Sequence, residues 1–221
     1  MEPLFGDDVL PRPAVALPEG AHHVPGFLSL EQQRWIVERF DEWAAGPVPL
    51  HSTVIGTHSM SVRTVCLGWH WHAGGYSREA VDVNGRRVLE VPGWVVRLGR
   101  AALDAVGDPH AGRYTPDAVL ANLYDAQAHM GLHQDRDEQS LAPVVSLSIG
   151  DACRFRIGTP QTRARPHWDL ELRSGDLFVF GGPSRLAFHG VRSVLPGTAP
   201  QGCGLSGHRL NLTLRMTGLS D

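Results

Sequence analysis

The sequence predicts an α+β fold: a C-terminal β-sandwich supported by two helices from the N-terminal half. Three observations lead there. Apolar residues recur at helical spacing in two stretches before residue 107. From about residue 117 the pattern changes to period-two alternation. Short runs then follow one another to the C-terminus, divided by Gly, Pro and Asp. Many short strands with turn residues between them form a sandwich or a barrel.

Each element has its own signal. Residues 1–20 are Pro-rich and read as an extended lead-in. Ser29 and Gln32 make a capping-box pair, and Ile36, Phe40 and Trp43 follow at spacings of four and three. That predicts a helix over roughly 29–45, ending near Gly46-Pro47. A second helix starts around Pro92, carries Val95, Leu98, Ala102 and Val106 on one face, and stops at Gly107. Between them, residues 51–90 hold short alternating runs, and Asn84-Gly85 is a hairpin turn signal. In the first core strand, Val119, Ala121 and Leu123 alternate with Leu120, Asn122 and Tyr124. Further strands are predicted at 143–149, 153–157, 168–172, 176–180, 185–191 and 208–216. There is no internal repeat and no low-complexity segment.

Composition narrows the function. A chain of 221 residues suits one domain with a sizeable core. The net charge of -3 argues against a strongly basic nucleic-acid coat, while leaving room for a local basic patch. Cys66, Cys153 and Cys203 are far apart and show no CxxC spacing, which speaks against a disulfide framework or a cysteine zinc site and suits a reducing compartment. The start MEPLFGDDVL has no basic segment followed by an apolar run, so no signal peptide is read. No stretch approaches the ~18 apolar residues a membrane span needs. The expectation is a cytoplasmic monomer with no membrane association.

The segment GLHQDRDE places His133 and Asp135 two apart. On a strand, residues i and i+2 share a face, so an imidazole and a carboxylate can reach one ion. His189, in RLAFHGV at the end of a predicted strand, is the best third ligand. Two histidines and one carboxylate form the facial set of non-haem Fe(II) oxygenases, with positions open for O2. An isolated HxD is common, and zinc hydrolases also use His and Asp. A second feature has to choose.

That feature is the last strand, His208 to Arg215. Leu210, Leu212 and Leu214 share one face; Arg209, Asn211, Thr213 and Arg215 share the other. An edge strand with a solvated polar face is the plain alternative. The fully apolar leucine face instead places the strand in a packed sheet. If the polar face lines a cavity, two guanidiniums there need anions, because a buried unpaired charge costs several kcal/mol. A dicarboxylate fits, since Arg pairs bidentately with carboxylates. The dicarboxylate 2-oxoacid that would stand beside Fe(II) is 2-oxoglutarate. Asn122 and Tyr124 share a face and could complete the cavity wall.

With these residues in place, the chain resembles the AlkB family of Fe(II)/2-oxoglutarate dioxygenases, from about Leu67 to Arg215. The matching segments are LGW (67–69), N-L-Y (122–124), LHQDRDE (132–138), VSLSIG (145–150), SGD (174–176), GGPSRLAFHG (181–190) and R-L-N-L-T-L-R (209–215). The resemblance implies one domain over 1–221. Its core is a double-stranded β-helix, or jelly roll, over about 117–216, with a nucleotide-recognition lid over about 50–90. It implies His133, Asp135 and His189 as iron ligands. Arg209 and Arg215 become the partners of 2-oxoglutarate, with Asn122, Tyr124 and Asn211 nearby. Trp69 and Tyr76 sit where the family holds the damaged nucleotide, Asp137 matches an acid that contacts the base, and Arg163 lies in a substrate-contacting loop. The implied reaction uses O2 as co-substrate and demethylates bases such as 1-methyladenine and 3-methylcytosine in alkylated DNA or RNA, giving succinate and formaldehyde. Arg154, Arg156, Arg163 and Arg165 are candidate phosphate contacts or a solvated face. The lid departs from the family pattern in carrying Trp71 between His70 and His72.

Two other readings stand beside this one. The same machinery could act on a small metabolite or a protein side chain. A jelly-roll module could also bind nucleic acid or a metabolite without catalysing anything.

Overall fold

A computed structural model describes Arg12 and residues 15–220 of the chain. Most of the expected lead-in therefore lies outside the described residues. In chain order the elements are β1 (Ala21–Val24), α1 (Leu30–Ala44), β2 (Val54–Ile55), β3 (His58–Ser59), β4 (Arg63–Leu67), β5 (His70–His72), β6 (Gly75–Ser77) and α2 (Gly93–Ala105). The core follows with β7 (Ala118–Tyr124), β8 (Met130–His133), β9 (Val144–Gly150), β10 (Ala152–Ile157), β11 (Trp168–Leu172), β12 (Leu177–Phe180), β13 (His189–Leu195) and β14 (Arg209–Arg215).

Two antiparallel sheets face each other. The larger runs β1-β12-β9-β14-β7-β4 and the smaller β11-β10-β13-β8. This is the expected jelly-roll sandwich backed by two helices. Alternation sorts each central strand of the larger sheet between two layers. Val119, Ala121 and Leu123, with Val145, Leu147 and Ile149 and with Leu210, Leu212 and Leu214, pack against Ile36, Phe40 and Trp43 of α1 and Val95, Ala102 and Leu103 of α2. The opposite faces of the same strands meet the smaller sheet. There the side chains are mixed. Tyr124, Val144, Phe178 and Phe180 join Phe155, Ile157 and Val191, while Asn122, Ser148, Arg209, Asn211, Thr213 and Arg215 are buried polar neighbours. The polar half of this inner layer is where the site lies.

The helices hold that layer in place. Ser29 caps α1 with the reciprocal Gln32 bond of a capping box. In α2, Gly99 leaves room for the Tyr114 ring, which a Cβ would meet at 2.8 Å. The Tyr114 hydroxyl then donates to the Leu214 carbonyl at 2.9 Å. At the N-terminal edge, the buried Asp176 carboxylate accepts from Arg12, from the Gly26 amide at 3.0 Å and from the Arg173 amide at 2.9 Å, and meets His23 Nε2 at 3.0 Å. Burial pushes its carboxyl up, but His23 and Arg12 more than offset that and hold it at about 2.

Three expectations change. The strand expected at 185–191 runs from His189 to Leu195, so His189 opens its strand instead of ending it. Gly182–Ser184 form a 3-10 turn, and Arg185 is held off the sheet by bonds to the Ala142 and Asp135 carbonyls. Asn84-Gly85 is not a two-residue hairpin turn. The amides of Val83, Asn84 and Gly85 all donate to the Ala80 carbonyl, and the bridge across this longer loop pairs Glu79 with Arg87. Finally, β4 is an edge strand of the larger sheet, so the segment over 50–90 is partly built into the core. Strands β1 and β8 had no clear alternation to announce them.

Candidate metal centre and cavity

Strand pairing brings the histidines together. β13 and β8 run antiparallel with His189 opposite His133. Gly190 permits the contact, since a Cβ there would stand 2.5 Å from the Met130 carbonyl oxygen. β8 ends at His133, and Asp135 follows in the loop. His133 Nε2 is 3.5 Å from Asp135 Oδ1, and His189 Nε2 is 3.6 Å from Asp135 Oδ2. One donor atom from each residue lies within 4.8 Å of the others.

Both imidazoles are oriented from behind. His133 Nδ1 lies 3.0 Å from the Gly131 carbonyl, and His189 Nδ1 lies 3.0 Å from the Ala187 carbonyl. A protonated Nδ1 donating to a carbonyl leaves the Nε2 lone pair facing inward, as a metal requires. Burial pushes His189 down to about 4, toward the neutral form. His133 is opposed by burial but lifted above its ordinary value by its Asp135 contact.

Asp135 is buried and held well below the carboxylate range. Burial would raise it; Arg215 and the two imidazoles more than offset that. Arg215 Nη2 stands 2.9 Å from Asp135 Oδ1. Asp135 Oδ2 is buried without a hydrogen-bond partner.

Arg215 belongs to a network. Its Nη1 donates to Glu138 Oε1 at 2.8 Å and to the Tyr76 hydroxyl at 3.0 Å, while Tyr76 donates to Glu138 at 2.6 Å. Burial raises the Tyr76 phenol above its ordinary value. Arg185 donates to Glu138 Oε2 at 3.2 Å and to the Asp135 carbonyl at 2.7 Å, clamping the backbone that carries the acid. Sequence reading missed both Arg185 and Glu138. Glu138 ends the LHQDRDE run, which was a usable signal; Arg185 sits in a turn with no periodicity to mark it.

The other end of β14 is poorer in partners. Arg209 is 1% exposed. Its Nη2 donates to Ser148 Oγ at 2.9 Å, while Nε and Nη1 are buried with no partner. Tyr124 is also buried, and its phenol is raised by burial, with Arg209 opposing and Asp135 adding to the rise. It thus lies within electrostatic reach of both the arginine and the acid. Asn211 donates to Ser146 Oγ at 2.8 Å and to the Leu147 carbonyl at 3.1 Å.

A cavity of about 470 Å³ opens beside the acid and the histidines. Asn122, His133, Asp135, Asp137 and Arg215 line it, with Trp71, Met130, Gln134 and Leu120. Asn122 accepts from Thr64 Oγ1 at 2.8 Å. Trp69 does not reach this cavity. It is 6% exposed, with the Arg78 guanidinium 3.9 Å above its ring. Trp71 lines the cavity instead, and its Nε1 donates to Asp137 Oδ2 at 2.8 Å. Gly68, at φ +74, turns the chain as it leaves β4, and Trp69 precedes the hairpin strand β5 that carries Trp71. Tyr76 is drawn to Glu138 and Arg215. Arg163 is exposed, 5.3 Å from the Phe188 ring centroid, and does not line the cavity. Arg156 is bound to Asp169 through two bonds of 2.6 Å on the outer face of the smaller sheet, so it is not a free phosphate contact.

The donor set fits iron and a dicarboxylate. Two imidazole Nε2 atoms and one unpartnered carboxylate oxygen offer three facial ligands. The two orphaned nitrogens of Arg209 are what a carboxylate would satisfy.

Residues 20–215 match the model of the 2OG-Fe(II) oxygenase superfamily. The chain is 39% identical over 216 residues to the alpha-ketoglutarate-dependent dioxygenase AlkB homolog of Caulobacter vibrioides, covering 95% of this chain and 93% of that one. It is 33% identical over 211 residues to the DNA N(6)-methyladenine demethylase ALKBH1D of Arabidopsis thaliana, covering 86% of this chain and 47% of that one. The solved structure of OsALKBH1 superposes with a TM-score of 0.81 at 30% identity, over 91% of this chain and 100% of that one.

Proposed function

Because the chain belongs to the AlkB family of 2OG-Fe(II) oxygenases, we propose that it repairs alkylated DNA, and RNA as a second substrate, by oxidising N-methyl groups on the bases. It is an Fe(II)- and 2-oxoglutarate-dependent dioxygenase. The observation that carries the substrate reading is the wall shared by Asp135, Trp71 and Asp137: a metal-ligating acid, an aromatic face and a second carboxylate meet in one cavity.

Iron, 2-oxoglutarate and O2 together supply the oxidant that hydroxylates the methyl group, with succinate and CO2 as co-products and formaldehyde released when the hydroxymethyl base collapses. The chain's residues do the positioning. His133 Nε2, His189 Nε2 and Asp135 Oδ2 hold the metal, while Arg215 fixes the other Asp135 oxygen. Arg209 would take a carboxylate of 2-oxoglutarate, with Asn122, Tyr124 and Asn211 as polar neighbours on β7 and β14. A duplex hides the target atom, so the base must be flipped out or already single-stranded. Trp71 offers a stacking face, worth about 1–3 kcal/mol per base. Asp137, pinned by the Trp71 indole, favours bases made cationic by methylation, such as 1-methyladenine and 3-methylcytosine. Tyr76 ties the hairpin to Arg215, and Arg163 meets the strand outside the cavity.

The test is anaerobic loading with Fe(II) and 2-oxoglutarate, followed by O2 and mass spectrometry of an oligonucleotide containing 3-methylcytosine. Loss of the methyl group with matching succinate is expected. Succinate without demethylation would leave the iron chemistry standing and sink the repair reading. Trp71→Ala should raise the KM for the oligonucleotide about tenfold or more, while Trp69→Ala should act mainly through stability. We place the enzyme in the cytoplasm as a monomer. Support for the compartment is three buried free cysteines, and light scattering checks the mass. Among the described residues, no helix is long and apolar enough to cross a membrane.

A further inference from the structure

A second cluster of metal-ligating side chains, His51, His70 and Asp82, shares no residue with the first. One donor atom from each lies within 4.8 Å of the others, the spacing also found at His133, Asp135 and His189. His70 is completely buried, with 0% of its surface exposed. Its Nε2 is 2.6 Å from Asp82 Oδ1, and its Nδ1 is buried without a partner. His51 places Nδ1 2.9 Å from the Pro49 carbonyl, which leaves Nε2 as the free lone pair. That Nε2 is also buried without a partner. The two rings are 5.4 Å apart between centroids.

A structural His70–Asp82 hydrogen bond would account for one contact only. It leaves two imidazole nitrogens, from separate chain segments, desolvated and unsatisfied beside a carboxylate. Each such atom carries a cost that a ligand would relieve. Two imidazoles and one carboxylate suit a borderline transition ion; magnesium and calcium prefer oxygen throughout. The Asp82 side chain keeps 30% of its exposure, so water can complete the coordination.

We propose that His51 Nε2, a ring nitrogen of His70 and the Asp82 carboxylate form a second, structural site for a divalent ion of the zinc class. The ion ties together three pieces of chain. His51 lies beside β4 through its bridge to Thr64, His70 opens the β5–β6 hairpin, and Asp82 lies in the loop that follows. The same hairpin presents Trp71 to the cavity. Occupancy of this site therefore sets how firmly the cavity's aromatic wall is held. Nothing in the assignment depends on which substrate the enzyme oxidises.

The experiment starts from His133→Ala/His189→Ala, which removes two ligands of the first centre and leaves the Asp135–Arg215 pair intact. This variant is loaded with Zn2+, dialysed and assayed for metal by mass spectrometry. One equivalent per chain is expected. His51→Ala or Asp82→Asn added to that background should each reduce it to none. The site falls if the starting variant holds no zinc, or if either added substitution leaves one equivalent bound. His70 is left untouched so that the buried side of the hairpin keeps its packing, and far-ultraviolet circular dichroism checks the fold. Zinc-edge X-ray absorption of the starting variant needs no change in the hairpin. It should report two imidazole ligands, and fewer than two overturns the assignment.

Discussion

The two ends of β14 carry the same residue in opposite circumstances. Arg215 faces Asp135, Glu138 and Tyr76. Arg209, six residues earlier on the same face, has one serine hydroxyl and two orphaned nitrogens. Both are buried. One guanidinium is therefore a counter-ion to Asp135 and Glu138. The other keeps two nitrogens without a partner among the described residues, which a carboxylate of 2-oxoglutarate would satisfy under the proposed function. A matched pair of arginines in the sequence thus differs in the partners the fold gives it.

Substitution at each end should break the comparison differently. Arg215→Met leaves Asp135 without its cation and Glu138 with Arg185 alone, and should destabilise the protein by about 3–5 kcal/mol, the usual cost of removing one partner of a buried pair. Urea unfolding measures it; a loss below about 1 kcal/mol would mean that the Arg215 network contributes little. Arg209→Met should raise the KM for 2-oxoglutarate about 100-fold, or about 2.7 kcal/mol. Its stability without co-substrate should stay level or rise, because an unpaired buried charge has gone. If it unfolds as readily as Arg215→Met, the two ends are alike after all.

Acid should sharpen the contrast. Burial pushes Asp135 and Glu138 up, but Arg215 and their other partners more than offset it, so both carboxyls titrate below their ordinary values. Their stabilisation is present above the unfolded pKa of about 4 and is lost as pH falls through the lower folded values. The Arg209 end has no such carboxylate. Arg209→Met should keep the acid-dependent loss, and Arg215→Met should flatten it by more than about 1 kcal/mol, read from unfolding midpoints between pH 5 and pH 2. The smallest effect is at Tyr76. Tyr76→Phe removes the hydroxyl shared by Glu138 and Arg215 and should cost about 1 kcal/mol. A loss confined to oligonucleotide KM would instead place Tyr76 against substrate.

Much of the centre was legible because period two is a strong signal. It separated Leu210, Leu212 and Leu214 from Arg209, Asn211, Thr213 and Arg215, and the structure buries those two sets in different layers. HxD and a distant histidine were likewise visible, and the structure brings His133, Asp135 and His189 together. What escaped lies where periodicity ends. Trp69 and Trp71 differ by two residues, yet only Trp71 lies in the short β5 and lines the cavity. Arg185 acts from a turn, across to carbonyls about fifty residues away in the chain. The partner state of Arg209 is a matter of what is missing around it, which no pattern within its own strand records.

The place of β14 in the sheet has a consequence for synthesis. It lies between β9 and β7, and among the described residues it is the last strand in chain order. Until it leaves the ribosome, those two strands have no neighbour between them, and their apolar faces have no finished layer to join. Sheets closed by such distant pairings fold slowly. A nascent chain stopped before Arg209 would already hold His133, Asp135 and His189, but neither arginine. The completing strand thus delivers both arginines and the closed sheet together.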